Sequence, residues 1–369
     1  MKVAIVHDYI KEYGGAERVL EALHEIWPEA PVFTTVYYPQ FLGPHRERFA
    51  NWDIRTSFLQ KVPFGYKLIS PFRILTPFIF EQFDFSSFDT VIVSQTGAYF
   101  PNMIRVGKDT THFCYCHTPP RYLYGYPTAR NWKKNMVGRI IGELMNHRLR
   151  LVDFQSGQRV DAFIANSEEV RARIRKFYRR EAEVIYPPVE LASSLSASSV
   201  QLKRQYYITG GRLARAKRVD LVIEACNRLK LPLKVFGRGF ADYENDLRQK
   251  AGPTVEFVGE VSDEKLWELY FGARALLYAS EYEDFGIMPV EAQACGTPVI
   301  AYDHGSVPEI VRDGLTGFVV EPNEGVGGLK KALYRINTIK REDCRKHVEE
   351  NFAVEKMVKS HEELYKELL

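Results

Sequence analysis

Long apolar runs are missing from this chain of 369 residues, and so is a cysteine framework. The most apolar stretch, Leu68 to Phe80, is interrupted by Pro71, Arg73 and Pro77 and is too short to span a bilayer, so no transmembrane helix is expected. The opening residues, Met1-Lys-Val-Ala-Ile-Val-His-Asp, pass from a short apolar strand straight into polar residues, without the apolar core and cleavage site of an export signal. Five cysteines, an odd number in a chain this long, fit a reducing compartment better than a disulfide scaffold. Cys114-Tyr-Cys116-His117 resembles half a zinc site, but no second ligand cluster follows at zinc spacing, and buried thiols on a strand are the expected reading. Together these absences point to a cytoplasmic protein.

Two nucleotide motifs are lacking as well. Gly237-Arg-Gly239 has Asp242 where a dinucleotide fingerprint needs its third glycine, and Gly325-Val-Gly327 has Lys330 there. No Gly-Lys-Ser/Thr of a phosphate-binding loop occurs. Dehydrogenase and nucleotide-hydrolase readings lose their main support.

What is present is an alternation of apolar strand runs with helical spacing, the mark of parallel sheet with crossover helices. Strands are expected at Val3–His7, Val32–Val36, Thr90–Ser94, Thr111–Cys116 and Ala162–Ala165, with a helix from about Ala16 to Ile26. After the Ser-rich stretch 193–199 the pattern restarts, with strands at Tyr206–Thr209, Leu233–Phe236, Val255–Val258, Ala275–Ala279, Pro298–Ala301 and Gly317–Val320. Length and restart together predict two doubly wound α/β domains, 1–190 and 191–348, and a C-terminal helix over 349–369. In such sheets ligands bind at the carboxyl ends of the strands.

The motifs fall at those ends. Glu283-Asp-Phe-Gly-Ile-Met-Pro-Val-Glu291 sets two carboxylates eight positions apart, one on a loop behind a strand and one inside the following helix. The peptide N–H groups of Phe285, Gly286 and Ile287 then lie near a helix start that favours anionic oxygen, and Glu291 offers an acceptor pair suited to vicinal ribose hydroxyls. Gly210-Gly-Arg212-Leu-Ala-Arg-Ala-Lys217-Arg-Val-Asp220 places Arg212 and Lys217 where their cations would meet one diphosphate. Its ordinary explanation is a solvated basic loop. Gly14-Gly15 before the first helix is either a tight turn or a close approach of main chain to phosphate. His117-Thr-Pro-Pro-Arg121 is a rigid loop behind a strand. Ser167 and Ser262 with Asp263 have the place of helix caps.

In this context the chain resembles the retaining glycosyltransferases of family 4, which have the GT-B fold. The two-glutamate motif and Gly-Arg-Leu-x-x-x-Lys-x-x-Asp occur in that family's order. The resemblance implies catalytic roles for His117, Arg212, Lys217 and Glu283. It implies donor contacts at Gly15, Arg212, Lys217, Val261 through main chain to the base, Glu283, Phe285, Gly286, Ile287 and Glu291, and acceptor contacts at Gly14 and Arg121. It also implies that the C-terminal helix packs back on the first domain. His-Thr-Pro-Pro-Arg with Glu283-Asp284-Phe-Gly-Ile is most similar to bacterial and archaeal mannosyltransferases of polysaccharide assembly. Asp284 stands where the family more often has Gly, which leaves the donor open between GDP-mannose and other nucleotide sugars. No Asp-x-Asp occurs, in keeping with transfer without a metal and without a bound cofactor. A sugar-nucleotide epimerase and a silent glycan-binding subunit stay open as alternatives.

The expected partners are a nucleotide sugar and a glycan or polyprenyl-diphosphate-linked glycan, with no nucleic acid. Net charge is only +3, yet residues 121–180 hold fourteen Lys or Arg against five Asp or Glu. Aromatic residues alternate with Lys67 and Arg73 between Phe64 and Phe80, and Trp132-Lys133-Lys134 leads to Arg139. The ordinary explanation of each segment alone is core packing plus a solvated face; the two together are the basis for expecting peripheral contact with the inner face of an anionic membrane.

Overall fold

The computed structural model describes residues 1–128, 136–189, 204–239 and 243–368. Trp132, Lys133, Lys134 and the Ser-rich stretch lie outside them, as does the side chain of Arg139. The chain forms two units, one of Met1–Tyr126, Trp132–Pro188 and Glu355–Leu369, the other of Pro127–Asn131 and Val189–Val354. Among the described residues no helix is long and apolar enough to cross a membrane.

The first unit is built on a parallel sheet ordered β3-β2-β1-β4-β5-β6-β7. Its strands are β1 Val3–His7, β2 Val32–Thr34, β3 Ile54–Thr56, β4 Thr90–Gln95, β5 Thr111–Cys116, β6 Ala162–Ala165 and β7 Ala182–Val184. The central strands read as continuous apolar runs because both sheet faces are covered. Alternation along β1 sends Val3 and Ile5 to one core, with Ile92, Phe113 and Leu23, and Ala4 and Val6 to the other, with Phe33 and Phe85.

Three expectations change here. The edge strands β3 and β7 were not expected, since each is three residues long, half exposed and without an apolar run. Strand β2 stops at Thr34 rather than Val36, because Thr35 turns its N–H and its hydroxyl, at 3.3 and 2.6 Å, onto the Asp8 carbonyl. The helix expected over 349–369 is two helices, Arg341–Asn351 and Val354–Leu368, broken at Phe352-Ala353. Phe352 packs on Phe285 with ring centroids 5.7 Å apart and its carbonyl accepts from Val189 N at 3.0 Å, which keeps the earlier helix in the second unit. The later helix buries Met357, His361 and Tyr365, spaced four apart on one face, in the first unit's core. Tyr365 lies 4.5 Å from Phe113 and 5.0 Å from Trp27, ring to ring.

The second unit repeats the plan with a parallel sheet ordered β10-β9-β8-β11-β12-β13. Its strands are β8 Tyr206–Gly210, β9 Leu233–Phe236, β10 Val255–Gly259, β11 Ala273–Tyr278, β12 Val299–Tyr302 and β13 Gly317–Val320. In each sheet the order reverses beside the first strand, between β1 and β4 and between β8 and β11. The crevice at the carboxyl ends of such a strand pair is where doubly wound sheets hold ligands.

Candidate functional site

At the β8/β11 reversal the second unit gathers charge on short loops. Gly210 and Gly237 must be glycine, since a Cβ on either would run into the backbone of Phe236 or Gly211. This close approach turns the chain after β8 and sets up Arg212 to Lys217. Arg212 is exposed on that loop. Lys217 ends a 3-10 turn, Arg215–Lys217, and its ammonium is ion-paired with the Glu283 carboxylate. The same Glu283 oxygen accepts from Tyr278 OH and, at 2.6 Å, from Ser280 Oγ. Lys217 Nζ also reaches Tyr278 OH at 3.3 Å. Lys217 and Glu283, 66 residues apart, are therefore one cluster, a pairing the sequence motifs do not reveal. Tyr278 and Ser280 were missed; their signal was position, at and just beyond the end of β11.

The loop behind Glu283 is fixed from outside. Ser306 N donates to the Glu283 carbonyl at 3.2 Å and Ser306 Oγ to the Phe285 carbonyl at 2.8 Å. Gly305 lies so close to the Glu283 backbone that a Cβ has no room. Gly286 takes φ 83° as the cap of the helix Ile287–Ala294, a left-handed position that suits glycine. Phe285 is buried, which leaves its main chain as its contribution at the helix start. Glu291 is one turn further in and buried, with Tyr270 OH donating to its Oε2 at 3.3 Å.

At the β1/β4 reversal the first unit gathers polar groups inside instead. His7, Ser94 and His117 come from the ends of the adjacent strands β1, β4 and β5. Ser94 Oγ lies 2.9 Å from His117 Nε2 and 3.0 Å from His7 Nδ1. His7 Nε2 faces Glu17 Oε1 at 3.8 Å. Burial, with the nearby His7 second, pulls the His117 pKa down to about 3. At neutral pH the ring is then uncharged and available as a hydrogen-bonding group. Asp8 Oδ2 accepts from Thr96 N, Ala98 N and Tyr99 N at 3.2, 3.1 and 3.2 Å, which holds the loop after β4, and burial raises its pKa.

Comparison with known proteins bears on both units. Residues 13–193 match the model of Glycosyltransferase Family 4, and residues 195–351 that of Glycosyl transferases group 1. The chain belongs to the glycosyltransferases. A 41.2 kDa protein of the cps region of Klebsiella pneumoniae is 28% identical over 259 residues, 68% of this chain and 70% of that protein. O-antigen chain mannosyltransferase B of Escherichia coli is 36% identical over 103 residues, 26% of each chain. Over the first curated relatives the match spans between 45 and 70% of the relative's length. The Anabaena protein HepE, solved in complex with UDP, superposes over 100% of both chains with TM-score 0.71 at 16% identity, which establishes the GT-B fold.

Within this glycosyltransferase the remaining expected positions are spread out. Gly14 is extended, φ −159°, and a Cβ there would be only in ordinary contact with Glu17, so neither backbone conformation nor internal crowding demands glycine. Gly15 is exposed and begins the helix Gly15–Ile26. Arg121 is half-buried in the turn after His117-Thr-Pro-Pro, its carbonyl accepting from Tyr126 N at 3.2 Å. Val261 is half-buried between β10 and the helix Asp263–Gly272. That helix is capped by Ser262 alone, with Asp263 its first residue, and Ser167 caps Glu168–Tyr178 through Val170 N at 3.0 Å. Cys114 and Cys116 are buried thiols of β5.

Proposed function

We propose that the chain is a retaining hexosyltransferase that moves mannose from GDP-mannose onto a glycan or polyprenyl-diphosphate-linked glycan without a metal. The observation that carries this reading is the Lys217–Glu283 cluster at the β8/β11 reversal, next to the start of the helix Ile287–Ala294. A diphosphate leaving group gains charge as its bond to the anomeric carbon breaks. Lys217, Arg212 and the peptide N–H groups at Phe285–Ile287 are fixed donors for that charge. The acceptor oxygen attacks from the face the diphosphate leaves, and a phosphate oxygen takes its proton, so no protein nucleophile is required. Glu291 is assigned to the ribose and Glu283 to the sugar; the family resemblance gives Gly15 and His117 donor-side roles and Gly14 and Arg121 acceptor-side roles. Mannose as the sugar is supported by the His-Thr-Pro-Pro-Arg resemblance and by the stretch shared with the E. coli mannosyltransferase.

Peripheral membrane contact is part of the proposal. Phe58, Phe64 and Phe78 expose 52, 69 and 67% of their surface, more than a packed core leaves outside. Phe64 holds φ 55°, unusual for a bulky residue, and Lys67 lies 5.8 Å from its ring. Arg73 does not join them: its guanidinium is stacked over Tyr122 at 4.2 Å and Nε donates to the Ala98 carbonyl at 3.2 Å.

The test is nucleotide release from a panel of GDP- and UDP-sugars, with and without a lipid-linked acceptor. Release from GDP-mannose, accelerated by the acceptor, is the expected result; epimerised donor, or no turnover of any donor, overturns it. Sedimentation with anionic vesicles should fall in Phe64→Ser/Phe78→Ser, and unchanged binding removes the membrane contact.

A further inference from the structure

A serine hydroxyl has one proton to donate, and Ser94 Oγ stands between two imidazole nitrogens, His117 Nε2 at 2.9 Å and His7 Nδ1 at 3.0 Å. Only one of them can accept that proton in a hydrogen bond. The other must carry its own proton and donate it to Ser94. The two rings are therefore not independent: the tautomer of one dictates the tautomer of the other.

Glu17 decides between the two arrangements. Its carboxylate faces His7 Nε2, which is buried and has no hydrogen-bond partner among the described residues. A neutral His7 with its lone pair on Nε2 would point that lone pair at the carboxylate oxygen, an unfavourable meeting of two acceptors. With the proton on Nε2 the contact is attractive. His7 Nδ1 is then the acceptor, Ser94 donates to it, and His117 Nε2 must donate to Ser94. The remaining nitrogen, His117 Nδ1, is left unprotonated.

We infer that Glu17, His7 and Ser94 are positioning residues that fix the tautomer of His117, so that Nδ1 presents a lone pair and accepts a hydrogen bond from a sugar hydroxyl. The use made of that lone pair rests on the proposed glycosyl transfer; the tautomer does not. The four residues sit in one unit, and every link is between elements of its own sheet and first helix. Glu17 lies in the first turn after Gly14-Gly15, so the glycine loop and the relay share one helix start. The facing titratable groups are His7, Glu17 and His117 themselves, Asp8, the next residue after β1, and Tyr115, whose ring lies 5.1 Å from that of His117. None of this was visible as a motif, since Ser94 is 87 residues from His7 and 23 from His117.

The test is two-bond proton–nitrogen correlation on the full chain labelled with nitrogen-15 histidine, at about pH 8, where a histidine of ordinary pKa near 6.5 is neutral. The wild type should show His117 unprotonated at Nδ1 and protonated at Nε2. Glu17→Gln offers an amide N–H to His7 Nε2, so the relay should reverse and the His117 signal move towards the Nδ1-protonated form. In Ser94→Ala the link is cut, and adding Glu17→Gln should leave His117 unchanged. With the folded backbone spectrum retained, a His117 protonated on Nδ1 in the wild type overturns the inference. So does a His117 signal indifferent to Glu17→Gln, or one that follows Glu17→Gln even without Ser94. With a donor that turns over, Glu17→Gln should lower kcat about ten-fold at unchanged KM, the scale of one hydrogen bond. If no nucleotide sugar turns over, the proposed function fails while the nitrogen signals still decide the tautomer.

Discussion

The two units share a sheet plan and handle charge in opposite ways. At the β1/β4 reversal the first unit seals His7, Asp8 and Ser94 away from solvent, with His117 nearly so. At the β8/β11 reversal the second unit, its buried Glu291 apart, keeps its charges nearer the surface, with Lys217 paired to Glu283, Arg218 to Glu281 and Arg215 to Asp246 at side-chain exposures between 12 and 63%. Buried groups are held in one protonation state and one geometry, which suits orientation. Partly exposed loop cations can trade one anionic partner for another, which would suit the proposed diphosphate. On the proposed function, the strand-order reversal would serve positioning in the first unit and charge neutralisation in the second.

Substitutions separate those roles. The largest effect is expected in the second unit: Lys217→Ala and Arg212→Ala should each lower turnover by roughly 10²–10³-fold, the range for removing one donor from a developing anion, with melting temperature nearly unchanged. Steady-state kinetics on both variants check this. If turnover falls little while stability collapses, the loop is structural and the contrast between units is lost.

Acid should act mainly on the first unit, since among the described residues the second has one histidine whose pKa burial lowers, His347, against three strongly shifted ones in the first. His112, His117 and His361 have pKa values near 4, 3 and 3 because burial disfavours the cation, whereas in the unfolded chain they take a proton near 6.5. Between those values the unfolded state binds more protons, so stability present above pH 6.5 is lost as pH falls, by about 1.4 kcal/mol per unit for each histidine. Asp8 and Asp153, raised by burial, the latter to about 7, run the other way and offset part of the loss. Limited proteolysis from pH 7 to pH 5 should therefore cut the first unit before the second, and Asp153→Asn should steepen the loss. Equal protection of both units at pH 5 would contradict the contrast.

Smaller effects sharpen it. Glu291→Ala should weaken nucleotide binding about ten-fold while kcat changes less, since a ribose contact exists equally in the ground and transition states. Calorimetric titration with GDP reads this directly. Ser167→Ala removes the cap of Glu168–Tyr178 and should cost about 1 kcal/mol in denaturant unfolding with no change in nucleotide affinity.

The contrast also explains what could be read from the sequence. Central strands were legible because burial on both faces writes them as unbroken apolar runs, and Val3–His7, Thr111–Cys116, Ala162–Ala165, Leu233–Phe236 and Gly317–Val320 have the expected ends. Edge strands such as Ile54–Thr56 carry no such run. The second unit's loop residues were legible because a charged loop with its glycines is a local motif. The first unit's relay was not, because His7, Ser94 and His117 become neighbours only through sheet order. Arg73 and Lys217 show the limit of composition: one turns inward onto Tyr122, the other is held by Glu283.

The central claim is that cations on the second unit's own loops do the work a metal does elsewhere in glycosyl transfer. It is tested most directly by nucleotide release from GDP-mannose in excess chelator, comparing the wild-type chain with Lys217→Ala and Arg212→Ala. The account predicts a wild-type rate unchanged by chelator and at least about 10²-fold lower in each variant. A rate that requires added Mg or Mn, or that survives both substitutions near the wild-type level, would contradict it.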